Sequence, residues 1–346
     1  MKTITAVGID VAKNIFQVYG CNQAEKMVTN KKVKRKQLID HISQMPEGCL
    51  IFMEACGGSH YWAREFQNLG FEVKLIAGHH VKKFVTGNKN DAIDAAAIVT
   101  CGLRPNTRFV PIKSEEQLEG QAIHRIRSRL SREMTSLCNE MRSFLYEHGY
   151  TFPQGRKKLI SSVKELIKLT SEELRPGLKG TISELFNEYL EKEERLKEYE
   201  KKINDSFSED PRKEMLLKVA GVGPITASAI LTEVGNPNYF KNGKHFAAFL
   251  GLVPRHSGSG GRNINFSISK RGDTYIRTLL IHGSRSILRF TSKKNDSLSC
   301  WAESLKGRMH ANKVSVALAN KNARIIWKIL ASGVEYDPNH IQVKSV

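Results

Sequence analysis

Four carboxylates, Asp10, Glu54, Asp91 and Asp94, have the types and positions that a metal-dependent chemistry on phosphates requires. Asp10 ends the β-forming run TITAVGI, and Glu54 ends CLIFME, a short apolar run suited to a buried central strand. Asp91 and Asp94 lie three apart at the start of an alanine-rich helical stretch, a spacing that puts both on one helix face. Strand ends of an open α/β sheet gather at one edge, which brings Asp10 and Glu54 towards each other. Clustered carboxylates repel unless a cation sits between them. Mg²⁺ suits an all-oxygen set and leaves positions open for phosphate oxygens. Two such ions about 4 Å apart would hold the attacking and leaving oxygens of a phosphoryl transfer. Taken singly, the acids also have plain structural readings. Asp91 and Asp94 suit a helix N-terminus, where the macrodipole favours negative charge, and Asp10 suits a turn.

A second group lies far along the chain. Residues 255–294 hold nine Lys or Arg against one acid, Asp273. Arg262, Lys270, Arg271, Arg277, Arg285 and Arg289 are candidate phosphate contacts, the arginines because the guanidinium fork matches phosphate oxygens two at a time and Lys270 as a point charge. A helix from about Thr274 sets Arg277, Arg285 and Arg289 at similar angles, a stripe that is also what a solvated face looks like. Among the glycines nearby are Ser257, Ser259 and Ser267. Glycine lets backbone approach a phosphate and leaves a serine hydroxyl open. On spacing alone this segment is a flexible surface turn.

The elements that must position these groups fall into three parts. Residues 1–112 read as an α/β domain: a hairpin from residues 3–9 and 15–20, strands CLIFME and EVKLIA, a helix with Trp62, Phe66 and Leu69 on one face, and a helix from about Asp91. Residues 113–210 read as a helical arm. Leu130, Met134, Leu137, Met141 and Phe144 follow the 4,3,4,3 spacing of a coiled-coil seam, and Leu185, Tyr189, Leu196, Tyr199 and Ile203 resemble it. The arm is either an antiparallel oligomer contact or two helices of one monomeric bundle. Residues 211–346 are mostly helical. Within LLKVAGVGPITASAIL the Gly-x-Gly turn joins two apolar helices, which fits a phosphate-holding helix-hairpin-helix and equally a tight turn that needs glycine for φ > 0.

Charge narrows the partner. Lys and Arg number 54 against 35 Asp and Glu, a formal +19, which calls for a polyanion such as nucleic acid. No run of about 18 apolar residues appears, and the start lacks the apolar core of a secretory signal. Six cysteines without a CxxC pair point to reduced thiols in a cytoplasmic chain, not to zinc or disulfides.

VGIDVAKNIFQVYG, MEACGGSHYWAREFQNLG and HHVKKFVTGNKNDAIDAAAI resemble the RuvC-like, RNase H-fold domain of DEDD transposases of insertion sequences. These form the IS-one-ten family, related to the Piv DNA invertases, and the details are closest to its IS-eleven-eleven branch. The resemblance assigns the catalytic, metal-binding acids to Asp10, Glu54, Asp91 and Asp94. NDAIDA stands where members often have NDAADA, and the acids are unmoved. GLVPRHSGSGGRNINFSISKRGDTYIRTLLIHGSR is similar to the family's C-terminal transposase domain, whose serine nucleophile precedes Gly-Gly; Ser259 matches it, with Ser257 the alternative. Members often have two adjacent serines there and a glycine before ISK, where this chain has Gly258 and Ser267. The resemblance implies DNA cleavage and rejoining through Mg²⁺ and serine, on donor and target DNA. It also implies a structured guide RNA and a homo-oligomer, dimer to tetramer, that shares the centre between subunits. A junction-resolving endonuclease using metal-activated water and a non-catalytic nucleic-acid-binding protein are the rival readings.

Overall fold

The N-terminal hairpin forms from β1 (Ala6–Asp10) and β2 (Ile15–Cys21), and β2 pairs antiparallel again with β3 (Met27–Lys34). The structure is a computed structural model that describes residues 3–85, 90–169, 174–259 and 262–337, with backbone alone for 257–259, 262, 263 and 265. It divides into two units, Met1–Ser114 and Glu115–Val346.

In the first unit the chain continues through α1 (Leu38–Ser43), β4 (Leu50–Glu54), α2 (Ser59–Asn68), β5 (Glu72–Ile76), α3 (Gly78–Val81), α4 (Asp91–Gly102) and β6 (Phe109–Val110). The strands make one mixed sheet in the order β3-β2-β1-β4-β5-β6, with β1, β4 and β5 parallel. Side chains alternate across it. Val7, Ile9, Ile51 and Met53 pack with Trp62 and Phe66 of α2 on one face. Ala6 and Phe52 pack with Ala97, Ile98 and Val99 of α4 on the other. Sequence and structure agree on an α/β unit. Each large side chain fully buried in these layers contributes roughly 1.5–3 kcal/mol. Leu69, expected on the apolar face of α2, is 40% exposed because the helix ends at Asn68. Gly8 has a packing reason: a Cβ there would meet the Ala95 carbonyl at 2.4 Å, so glycine lets α4 lie directly on β1.

The second unit begins with α5 (Glu115–Glu147), α6 (Arg156–Leu166) and α7 (Pro176–Asp205). α5 and α7 run antiparallel, since Arg127 reaches Glu200 at 2.8 Å and Lys192 reaches Glu133 at 3.1 Å. Leu130, Met134, Leu137 and Met141 are buried as the seam predicts, whereas Phe144 is 38% exposed and Leu145 takes the interior. The reason is α6, whose Leu159, Val163 and Leu166 join the same cluster and turn a two-helix seam into a three-helix face at that end. Tyr189 and Ile203 are buried from α7, with Ile182 and Phe186 added.

The chain then forms α8 (Pro211–Leu217), α9 (Pro224–Glu233), α10 (Gly243–Phe249), β7 (Pro254–Ser259), β8 (Arg262–Ile268), α11 (Thr274–Leu288), α12 (Ser297–Lys306) and α13 (Ala311–Ser332). Leu216, Ile230, Phe246, Ile276, Leu280 and Ile326 share one core. Between α8 and α9, Gly221 has φ +78° and its carbonyl would lie 2.0 Å from a Cβ on Gly283 of α11. Two glycine backbones from separate elements thus touch with no side chain between them. The six cysteines are free thiols, and among the described residues no helix is long and apolar enough to cross a membrane.

Candidate functional site

Register places the first two acids together. Ile9 lies opposite Met53 in the parallel pair of β1 and β4, so Asp10 and Glu54 come next, on adjacent strand ends about 4.8 Å apart in the sheet. Alternation then fixes the face. Asp10 follows Ala6 and Gly8, and Glu54 follows Phe52, so both carboxylates are on the side that α4 covers. The same level continues across the sheet: Asp10 opposes Gln17, and Gln17 opposes Lys32. Asp91, the first residue of α4, approaches Lys32 at 3.8 Å. Both of those side chains are largely exposed, so their pairing contributes little to stability. Asn90 caps the helix by accepting from the Ala92 N–H at 3.1 Å, and Asp94 is half-buried one turn in.

Two further observations mark this edge. A Cβ on Gly78 would meet Glu54 Oε1 at 2.4 Å, so glycine makes room for the carboxylate against the α3 backbone. Burial pushes the Cys56 thiol pKa up, and the negative fields of Glu54 and then Asp10 push it the same way, so both carboxylates act on one neighbourhood. The donor chemistry fits a hard divalent cation: carboxylate oxygens, with the buried, unpartnered Gln17 Oε1 at the register position beside Asp10. The four acids do not form one cluster. Among the described residues no three His, Cys, Asp or Glu side chains are grouped closely enough to hold a metal. The structure joins Asp10 to Glu54 and ties Asp91 to Lys32.

In the second unit the serine segment is a β-ribbon, not the open turn that its glycines and serines suggested. Ser259 ends β7 and opposes Arg262, the first residue of β8; Ser257 opposes Ile264. Gly260 and Gly261 between them, and the side chains of Ser257, Ser259 and Arg262, lie outside what the structure describes. The missed signal was the alternation of Ile264, Phe266 and Ile268 along β8, where Ile264 is 55% exposed and Phe266 49%.

Lys270, Arg271, Arg285 and Arg289 are exposed, and Arg285 reaches Asn312 Oδ1 at 3.4 Å. Arg277 departs from the expected phosphate stripe. It is only 7% exposed, and its guanidinium donates to the carbonyls of Leu250 at 3.0 Å and Arg271 at 3.1 Å, and to Thr274 Oγ1 at 3.0 Å. It clamps two loops that meet backbone to backbone, where a Cβ on Gly272 would collide with the Phe249 carbonyl. Its donors are spent on the fold, since a buried guanidinium must have its hydrogen bonds met internally.

A buried polar chain, which nothing in the sequence singled out, holds the start of α11. His124 is hydrogen-bonded through Nε2 to Ser228 Oγ at 3.1 Å and through Nδ1 to Tyr275 Oη at 3.2 Å, and Ser228 continues to Ser206 at 2.9 Å. Burial, and then the nearby Arg127, lower the His124 pKa from 6.5 to about 4. A histidine that is harder to protonate when folded gives its full stability above its unfolded pKa and loses it as pH falls. Unfolding midpoints in urea should therefore drop between pH 6.5 and 4, by the equivalent of about 3 kcal/mol at most from this group. His60 shifts the same way in the first unit, so the informative quantity is the difference from a His124→Gln protein, whose midpoint should fall less steeply. Parallel pH curves for the two proteins would remove this role.

Comparison with known proteins covers both units. Residues 7–149 match a DEDD, IS110-type family model described as Transposase, and residues 213–298 match one described as Transposase IS116/IS110/IS902 family. The chain is 44% identical to a probable family 20 transposase of Pseudomonas aeruginosa over 97% of its own length and 99% of that protein. It is 38% identical to the transposase for insertion sequence element IS1111A of Coxiella burnetii, over 97% of this chain and 92% of that one. With the transposase for insertion sequence element IS1328 of Yersinia enterocolitica it shares 35% identity over 97% and 99% of the two chains.

Proposed function

This chain belongs to the IS116/IS110/IS902 family of DEDD transposases, and from that premise we propose that it cuts and rejoins DNA through Asp10, Glu54, Asp91 and Asp94 and a serine nucleophile, Ser259. The observation that carries this reading is the placing of Asp10 and Glu54 on adjacent parallel strand ends, on the sheet face that α4 covers. An antiparallel β1–β2–β3 run continued by parallel β4 and β5 also supports an RNase H-like, RuvC-like domain over residues 1–112. The helical arm is then residues 113–210 and the transposase domain 211–346.

Asp10 and Glu54 would hold Mg²⁺, and Asp91 and Asp94, which stand apart from that pair, would complete its ligands on moving towards it; the ion when bound supplies charge neutralisation and polarises the scissile phosphate. Asp10 and Glu54 present their oxygens from neighbouring strand ends, and Asp91 and Asp94 from the first turn of α4. Ser259 Oγ forms a bond to phosphorus as the sugar oxygen leaves; the serine gives up its proton and the leaving oxygen gains one. The phosphoserine bond conserves the energy of the broken linkage, so the reverse attack by another sugar hydroxyl rejoins DNA. Arg262, Lys270, Arg271, Arg285 and Arg289 hold phosphates nearby, and Arg277 holds the fold behind them. Family resemblance further supports a cytoplasmic site of action, a guide RNA and a centre shared between subunits of a dimer or tetramer.

The test is to incubate the full-length protein with its own element DNA and Mg²⁺ and sequence the products. Rejoined junctions that vanish on chelation are expected. Hydrolysed ends alone would favour a junction-resolving endonuclease, and binding without cleavage a non-catalytic protein.

A further inference from the structure

A groove of about 1700 Å³ runs along α13 in the second unit, with β8, α10 and α12 contributing to its walls. Pockets for small molecules run to roughly 300–1,000 Å³, so this one is sized for a polymer. Its lining combines two chemistries. Trp301, Trp327 and Phe266 supply aromatic surface, and Lys244, Lys313, Lys321, Arg324 and Lys328 supply positive charge. On α13, Lys313, Asn320, Arg324 and Lys328 follow helical spacing along one face, with about 22 Å from the first to the last at 1.5 Å per residue.

Lys244, Lys313, Arg324 and Lys328 have no ion pair among the described residues. Of the two acids in the lining, Glu335 is engaged by Lys218 at 2.7 Å. Lys321 lies over the Trp301 ring, 4.2 Å from its centroid, and burial lowers its pKa. That contact is a cation–π pair between two residues of the groove lining.

We propose that this groove binds an unpaired stretch of nucleic acid, its bases stacking on aromatic side chains including Phe266 and its phosphates met by Lys313, Arg324 and Lys328. The inference rests on the chain being a nucleic-acid enzyme and adds a site to it. A duplex hides the faces of its bases and leaves an aromatic floor uncovered, whereas an unpaired strand offers both base faces and a phosphate backbone. A protein partner would need a matching row of acids for the same four cations.

Fluorescent oligothymidylate, oligouridylate and a blunt DNA duplex, titrated onto the full-length protein, test this. Phe266→Ala should weaken single-strand binding about fivefold or more. The Lys313→Gln/Lys328→Gln protein should flatten the dependence of log K on log salt by about 1.4 for single strands, from two lost phosphate contacts. Duplex affinity and its salt slope should change less than those of the single strands in either variant. Tighter binding of the ribo or the deoxy strand identifies the source, and either result supports the site. Unchanged single-strand affinity and salt slope in both variants would overturn it. So would a change in oligomeric state with oligonucleotide binding intact, which would make the groove a contact between copies. These readouts do not depend on cleavage: failure of the unaltered protein to rejoin element DNA counts against the strand-transfer reading alone.

Discussion

Replacing Asp10 or Glu54 with alanine is expected to lower strand cleavage by at least about a hundredfold while leaving the fold intact. Removing a ligand from a site that neutralises developing charge forfeits several kcal/mol of transition-state stabilisation, and each 1.36 kcal/mol is tenfold in rate. The fold should survive for a reason visible in the sheet. Both carboxylates lie at strand ends and are half-buried, with the core supplied by their neighbours Ile9 and Met53, each 0% exposed. Two adjacent carboxylates also repel, so loss of one relieves that term. Thermal midpoints of the variants should accordingly match or slightly exceed that of the unaltered protein. Asp91→Ala and Asp94→Ala should reduce cleavage similarly, although Asp91 also loses its exposed pairing with Lys32. Cleavage near the unaltered rate by Asp10→Ala and Asp94→Ala proteins, assayed on element DNA with Mg²⁺, would end the metal-site reading.

The second large effect is expected at Ser259. Ser259→Ala should bind nucleic acid with unaltered affinity and form no covalent protein–DNA adduct. A serine hydroxyl is a weak nucleophile without activation, and its phosphate needs electrophilic help that the acids can supply only if a fold or a partner subunit brings both parts together. Mixing follows from this. Asp10→Ala and Ser259→Ala proteins, each inactive alone, should partly restore joining together if the centre is shared between subunits. Mass spectrometry of a stalled reaction should find DNA on the peptide from Arg255 to Arg262, at the residue that ends β7 opposite Arg262. Attachment at Ser257, two residues earlier and opposite Ile264, would move the assignment within the same strand. Attachment at neither would leave hydrolysis as the better account.

Much of the first unit was legible because its signals are local. CLIFME has no place except inside a sheet, and a buried strand that ends in glutamate marks an edge with work to do. The long helices were legible through spacing, apart from Phe144, whose exposure depends on α6 and therefore on a contact that a helix pattern cannot contain. Arg277 shows the limit more sharply. On a helical wheel it joins Arg285 and Arg289; its burial follows from the loops at Gly251 and Gly272 meeting back to back, a long-range event. The β7–β8 ribbon was hidden because glycine and serine speak for a turn, while the alternation of Ile264, Phe266 and Ile268 is short. The row from Glu54 through Asp10 and Gln17 to Lys32 needed strand register, and for β1 against β4, which are not consecutive, no spacing along the chain reveals it.

The touching backbones of Gly221 and Gly283 have a mechanical meaning. A contact between side chains can creep, because rotamers change and let one helix slide over another. Backbone pressed on backbone has no such soft coordinate, and packed interiors transmit strain instead of absorbing it. The exposed Arg285 stands on the same helix as Gly283, and the exposed Arg289 caps that helix's C-terminal end, both within two turns of the glycine. A load placed on that end of α11 therefore meets the α8–α9 turn through backbone, with no rotamer in between to take it up.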